Sequence, residues 1–114
     1  MTPAPYNNTL KTIRSSVSSN DSGNPTIGTG MSFVGFKYIE CEITLGGTTP
    51  AWSVTPLLAN AAGTTYMEGD TTALSGAKTF VYKLEVNGNS DVNFRVDTSS
   101  GTSPTITIKA RGIN

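Results

Sequence analysis

Glu40 and Glu42 stand two residues apart in YIECE, and in an extended strand that spacing sets two carboxylates on one face about 7 Å apart. Such a distance is broadly compatible with the acid and base of a glycosidase. It also describes an ordinary solvated strand face, and the sequence favours that reading because no convergent polar residues suggest a cleft that would shift a carboxyl. The chain contains no histidine. That removes a Ser-His-Asp triad, a Cys-His pair and every imidazole metal ligand.

Oxygen-rich loops are the other place where chemistry could reside. NDSGN and EGDTT offer Asp21, Glu68 and Asp70 as calcium ligands, but neither follows the EF-hand spacing, and as turn residues they need no ion. Cys41, the single cysteine, alternates with Ile39 and Ile43 and is expected to be an inward, inert thiol. Trp52, were it exposed beside Tyr66 or Tyr82, would make a sugar-stacking platform. Its phase with Val54 places it in the core instead. We therefore expect no enzyme, no catalytic residue, no bound metal and no cofactor.

A Gly-Thr-hydroxyl-Pro step occurs twice, as GTTPAWSV from Gly47 and GTSPTITI from Gly101. A phosphate cradle would need a helix N-terminus after it, and none is predicted. Read structurally, Gly supplies the turn, the hydroxyls bond local backbone, and Pro takes a first strand position where no ladder donor is lost. The two steps are thus expected to start two strands.

The elements that would carry these residues are all strands. FKYIECEITL, AWSVTPLL, TFVYKLEV, DVNFRVD and TITIKA alternate apolar with polar residues, and Asn87-Gly88 is a hairpin signal. Pro56 forces an edge or a bulge. TLKTIRSSV, though Leu10, Ile13 and Val17 are helically spaced, is too rich in Thr and Ser for a helix and reads as a strand, followed by a breaker-rich loop, Ser18 to Gly30. The expected fold is an all-β antiparallel sandwich, jelly-roll or Ig-like, of about seven or eight strands. Ile39, Ile43, Trp52, Val54, Phe80, Leu84, Phe94, Val96, Ile106 and Ile108 form its core. At 114 residues this is a single domain: an arm, first strand and polar loop over 1–30, and a sandwich body over 31–114.

Charge narrows the partners. Eight Lys and Arg balance eight Asp and Glu and are scattered, leaving no footprint for a phosphate backbone. Nucleic acid is not an expected partner. No apolar run approaches the ~20 residues that span a bilayer, and no apolar stretch follows Met1. A membrane is not expected either. The segment Thr2 to Asn8, with Pro3, Pro5 and Tyr6 ahead of Leu10 and Ile13, is too polar and proline-rich for a core and is expected to lie across a partner.

The stretches FKYIECEITLGGTTPAWSVTPLL, YMEG, TFVYKLEVNG and VNFRVDTSSGTSPTITI resemble small β-sandwich virion proteins of tailed bacteriophages. The resemblance spans about residues 33 to 110 and consists of strand order and the repeated Gly-Thr-hydroxyl-Pro turns. It implies a capsid decoration (cement) protein on the capsid surface. Such a protein would bind the major capsid protein or another virion protein, as a homotrimer; the resemblance does not reach the N-terminal segment, whose Pro3, Pro5, Tyr6, Leu10 and Ile13 are expected at the partner interface from composition alone. A receptor- or carbohydrate-binding module of a tail or fibre is the alternative.

Overall fold

The alternating segments form strands in the computed structural model, which describes residues 9–114. These are β1 (Lys11–Val17), β2 (Tyr38–Ala59), β3 (Tyr66–Glu68), β4 (Thr72–Ser75), β5 (Thr79–Glu85) and β6 (Val92–Ile113), with no helix among the described residues. Every pairing is antiparallel, and all six strands belong to one sheet in which β6 lies between β1 and β2. The other side of β2 is lined in turn by β5, β4 and β3. The all-β antiparallel expectation holds, and β1 is a strand as its Thr and Ser content predicts.

β2 and β6 are 22 residues long each. Straight strands of that length would run about 70 Å, yet the longest dimension of the molecule is 48 Å. Both are therefore bent, and the bend falls where Gly47-Thr48-Thr49-Pro50 of β2 faces Gly101-Thr102-Ser103-Pro104 of β6, with Thr48 opposite Thr102. The first and third residues of each motif have positive φ: Gly47 97° and Thr49 46°, Gly101 118° and Ser103 49°. One backbone path is thus used twice, on facing strands, and the shared path accounts for the shared sequence. This corrects the expectation that the motifs start strands, because each lies inside a continuous strand and creases it.

The crease also corrects the phase of the core. Leu45 and Trp52 are an odd number of residues apart and would lie on opposite faces of a regular strand. Register shifts between Gly46 and Trp52 bring both inward, where each is buried. The turn between β4 and β5 follows the same line, with Gly76 N–H donating to Pro50 O and Leu45 N–H to Lys78 O. Cut at the crease, the six strands make eight straight segments in two layers.

The far ends of the two layers are sewn together by residues 86–91. β5 ends at Glu85 beside Tyr38, and β6 begins at Val92 beside Leu58, so six residues link the opposite ends of β2. They can span only about 20 Å, which the sheet satisfies by folding over. Asn87 and Gly88 have φ of 47° and 72°, and Asn89 N–H closes the turn on Val86 O. The turn chemistry is as expected, but the hairpin is not: β5 and β6 do not pair, and the turn carries the chain from one layer to the other.

Between the layers lies one core that contains Ile39, Cys41, Ile43, Ile106 and Ile108 from one side and Trp52, Val54, Val92, Phe94 and Val96 from the other, with Phe80 and Leu84 packed half-buried against it. All ten residues expected in the core are there. Arg14 on β1 closes one seam, its guanidinium donating to Phe94 O at 2.7 Å. At the other seam the Tyr82 ring meets Phe94 edge-on at 6.2 Å. Pro56, opposite Phe94 on one side, faces on the other the interruption between β3 and β4, where Gly69 N–H donates to its carbonyl. The missing Pro N–H therefore falls where no strand needs it.

Candidate interaction surface

Glu40 and Glu42 point outward from β2, with Arg111 and Lys109 of β6 as their cross-strand neighbours and Lys83 of β5 on the other side of Glu40. Arg111 holds Glu40 through both Nε and Nη2, at 3.0 and 2.8 Å. The Glu40 carboxylate is thus clamped by a guanidinium on an open strand face. The pair is a solvated charge ladder.

Two of the three loop carboxylates are also committed. Arg14 binds Asp21 through two hydrogen bonds of 2.9 Å, and Val96 N–H donates to the same carboxylate at 2.8 Å. Burial pushes the Asp21 carboxyl up, but the Arg14 hydrogen bond, the Val96 N–H and the charges of Arg14 and Arg95 together hold it below its ordinary value. Glu68 lies 3.0 Å from Arg95 and accepts from Asn24 Nδ2 at 3.2 Å; these two partners lower its pKa. Asp70, on the β3–β4 link, lies within electrostatic reach of the Tyr82 hydroxyl. Among the described residues no three His, Cys, Asp or Glu side chains gather as metal ligands.

Because Asp21 has a depressed folded pKa, its pairing contributes stability that is fully present above the ordinary carboxylate value and is lost as pH falls through the lower folded value. Urea midpoints measured from pH 6 down to about 2 should therefore fall in acid, and Asp21→Asn should flatten that fall. An unchanged acid slope in the variant would show that the Arg14–Asp21 bridge carries no pH-linked stability.

Asp91 is a feature the sequence does not announce. It is buried and accepts from Gly28 N–H at 2.6 Å, Gly30 N–H at 2.9 Å and Tyr66 Oη at 2.6 Å. Burial, then the bond to Asp91, pushes the Tyr66 phenol up. A Cβ at Gly30 would stand 2.3 Å from Asp91 Oδ1, so only glycine lets the loop close on the carboxylate. Together with Met31 N–H to Val92 O, these bonds fasten the loop after β1 along the edge of β6. The only signal in the sequence is the Gly-Thr-Gly of the loop, which by itself marks a breaker.

Trp52 is 0% exposed and offers no face to a sugar; Tyr66 spends its hydroxyl on Asp91. The Trp52 Nε1–H is buried without an acceptor among the described residues, a cost of about 1–3 kcal/mol that its packing must outweigh. Cys41 is buried against Ile39 and Ile43 as expected, and burial, with the nearby Glu40 charge, pushes its thiol up to about 12. A thiol reagent at pH 8 should modify native Cys41 only at the rate of global unfolding. Modification as fast as in urea would place the thiol at the surface.

Of the residues expected at a partner interface, Pro3, Pro5 and Tyr6 lie outside the described residues. Leu10, just ahead of β1, is 40% exposed, and Ile13 packs half-buried against the core. The other large exposed apolar residues are Val34, Met67 and Val81, on the loop before β2, on β3 and on β5. What the molecule presents around its crease is hydroxyl and backbone: Thr48, Thr49, Ser75, Thr79, Thr102 and Ser103 are all exposed. No protein-family model, no curated protein and no solved structure matches the chain.

Proposed function

We propose that the chain is a non-enzymatic structural protein of a virion, a capsid decoration protein that sits on the capsid surface, binds major capsid subunits as a homo-oligomer and stabilises the shell. The virion assignment rests on the resemblance of its strand order and repeated turns to such proteins. The observation that carries the non-enzymatic reading is the use to which its carboxylates are put. Asp21, Glu68 and Glu40 are each held by an arginine, and Asp91 by backbone N–H groups and a tyrosine. Groups that acid–base chemistry would need unpaired are instead fastening strands and loops.

A rigid sandwich of this kind works by mass action. A protein present at 100 times its dissociation constant stabilises the state it binds by about 2.7 kcal/mol, with no chemical step. Crosslinking of intact particles should join this chain to the major capsid protein. A tail-fibre partner would favour the receptor-binding alternative, which the burial of Trp52 leaves without its stacking platform. Deleting Thr2 to Asn8 should weaken retention on particles while changing the stability of the sandwich by less than about 0.5 kcal/mol. Undiminished retention would move the contact from the arm to the body.

A further inference from the structure

A folded-over sheet has four edges, and in this molecule three are closed to further pairing. The outer edge of β1 is irregular, with register shifts after Thr12 and after Arg14 and a positive φ of 44° at Ser16. The edge of β6 beyond the crease is occupied: Asp21 pairs with Val96 through both its backbone N–H and its carboxylate, Asn20 accepts from Thr98 N–H, and Met31 bridges Val92. The third edge is broken into β3, three residues, and β4, four residues. Bulges, loop cover and shortness are three of the devices by which sheets prevent edge-to-edge pairing.

β5 has none of them. Its seven residues pair with β2 in unbroken register from Thr79 opposite Thr44 to Glu85 opposite Tyr38, and among the described residues nothing pairs with its other edge. It contains no proline. Val81, the third of its seven residues, is 78% exposed, the largest exposure of any large apolar residue described, and Phe80, Tyr82 and Leu84 on the inner face are only half covered.

We propose that β5 pairs antiparallel with β5 of a second copy of this chain about a two-fold axis at Tyr82. In that register all seven residues are used. Inner-face residues meet as Phe80 with Leu84 and Tyr82 with Tyr82, apolar throughout. On the outer face Val81 lies opposite Lys83, whose aliphatic stem can cover it, and Thr79 lies opposite Glu85. The ends are complementary in charge, since Lys78 precedes the strand and Glu85 closes it, so an antiparallel pair brings Lys78 of each copy towards Glu85 of the other. Shifting the axis to Lys83 would set two ammonium groups face to face, and shifting it to Leu84 would leave three residues paired. The contact is isologous and closes at two copies, in place of the three-fold assembly that the resemblance implies. It does not depend on the particle and concerns the free protein.

The full-length chain, studied by sedimentation equilibrium over about 5 to 300 µM, should show a monomer–dimer equilibrium. Val81→Lys puts like charges opposite each other at two symmetry-related places and should weaken dimerisation by about tenfold or more, with circular dichroism unchanged because Val81 touches solvent. Adding Lys83→Gln to that variant removes both clashes without setting a second carboxylate against Glu40, which faces Lys83 within each copy, and should restore the dimer. A protein that stays monomeric throughout, a trimer, or a dimer indifferent to Val81→Lys overturns the proposal. A dimer weakened by Val81→Lys but not recovered by the second change overturns the register about Tyr82. Particle crosslinking with the monomeric variant separates this result from the capsid assignment, which it leaves standing whichever way the dimer falls.

Discussion

Replacing Phe94 by Ala is expected to lower the stability of the sandwich by about 3–5 kcal/mol, read as a lower urea midpoint at unchanged slope. Phe94 is fully buried and belongs to both layers at once: its strand pairs with β2 at Pro56, its ring receives the edge of Tyr82, and its carbonyl receives the Arg14 guanidinium. Truncation leaves a void at the seam where the layers meet, and the crease and the 86–91 link at the two ends restrict how far they can close over it. Against a total of about 5–15 kcal/mol for ordinary domains, that loss is enough to populate the unfolded chain. A cost below about 1 kcal/mol would mean that the strand turns Phe94 outward. Phe80→Ala, at a half-covered position on the same core, should cost less, because the unsubstituted side chain is already partly in water.

The contrast between what could and could not be read from the sequence follows from the range over which each signal acts. Alternation is local, so the inward sets Ile39-Cys41-Ile43 and Phe94-Val96 were legible from their own strands. Turn chemistry is local too: Asn87-Gly88 does take positive φ at both residues. What those residues join is not local. A type of turn suited to a hairpin instead crosses between layers, because β2 is creased in its middle and its two ends come together. The crease itself is hidden because Gly and Pro within a sequence ordinarily mark the end of a strand. Only the pairing of one motif against the other, 54 positions later in the chain by the difference between Gly101 and Gly47, reveals that the Pro follows a bend within a strand.

The candidate site was legible in the same uneven way. The outward pair Glu40 and Glu42 followed from strand period, and so did the buried thiol between them. The partners that define what those carboxylates do came from far along the chain: Arg111 for Glu40, Arg95 for Glu68, and Gly28 with Gly30 for Asp91. No periodicity carries such pairings. The unprotected edge of β5 is a still more global property. It is defined by the absence, beside one strand, of the irregularity, cover or brevity that protects each of the other three edges.

The crease makes a sharper demand on sequence than the core does. Gly47 at φ 97° and Gly101 at φ 118° occupy backbone conformations that an L-residue reaches only under strain of about 1–3 kcal/mol. Space is also absent. A Cβ on Gly47 would stand 2.5 Å from Ser103 O and 2.9 Å from Thr102 O, and one on Gly101 would stand 2.9 Å from Pro50 Cα and 3.1 Å from Thr49 O. Each glycine thus lies against the backbone of the opposite motif, and backbone in a paired strand cannot swing aside as a side chain would. Gly47→Ala is expected to cost about 2–4 kcal/mol, the sum of conformational strain and displacement of the facing strand. Gly63 provides the comparison, since its φ is 68° but nothing lies within 4 Å of a Cβ there; Gly63→Ala should cost only about 1 kcal/mol, the strain alone. Denaturation of the two variants side by side separates the terms. Equal costs would mean that the motifs do not press on each other, and the long strands would then have to bend by some means other than this reciprocal glycine contact.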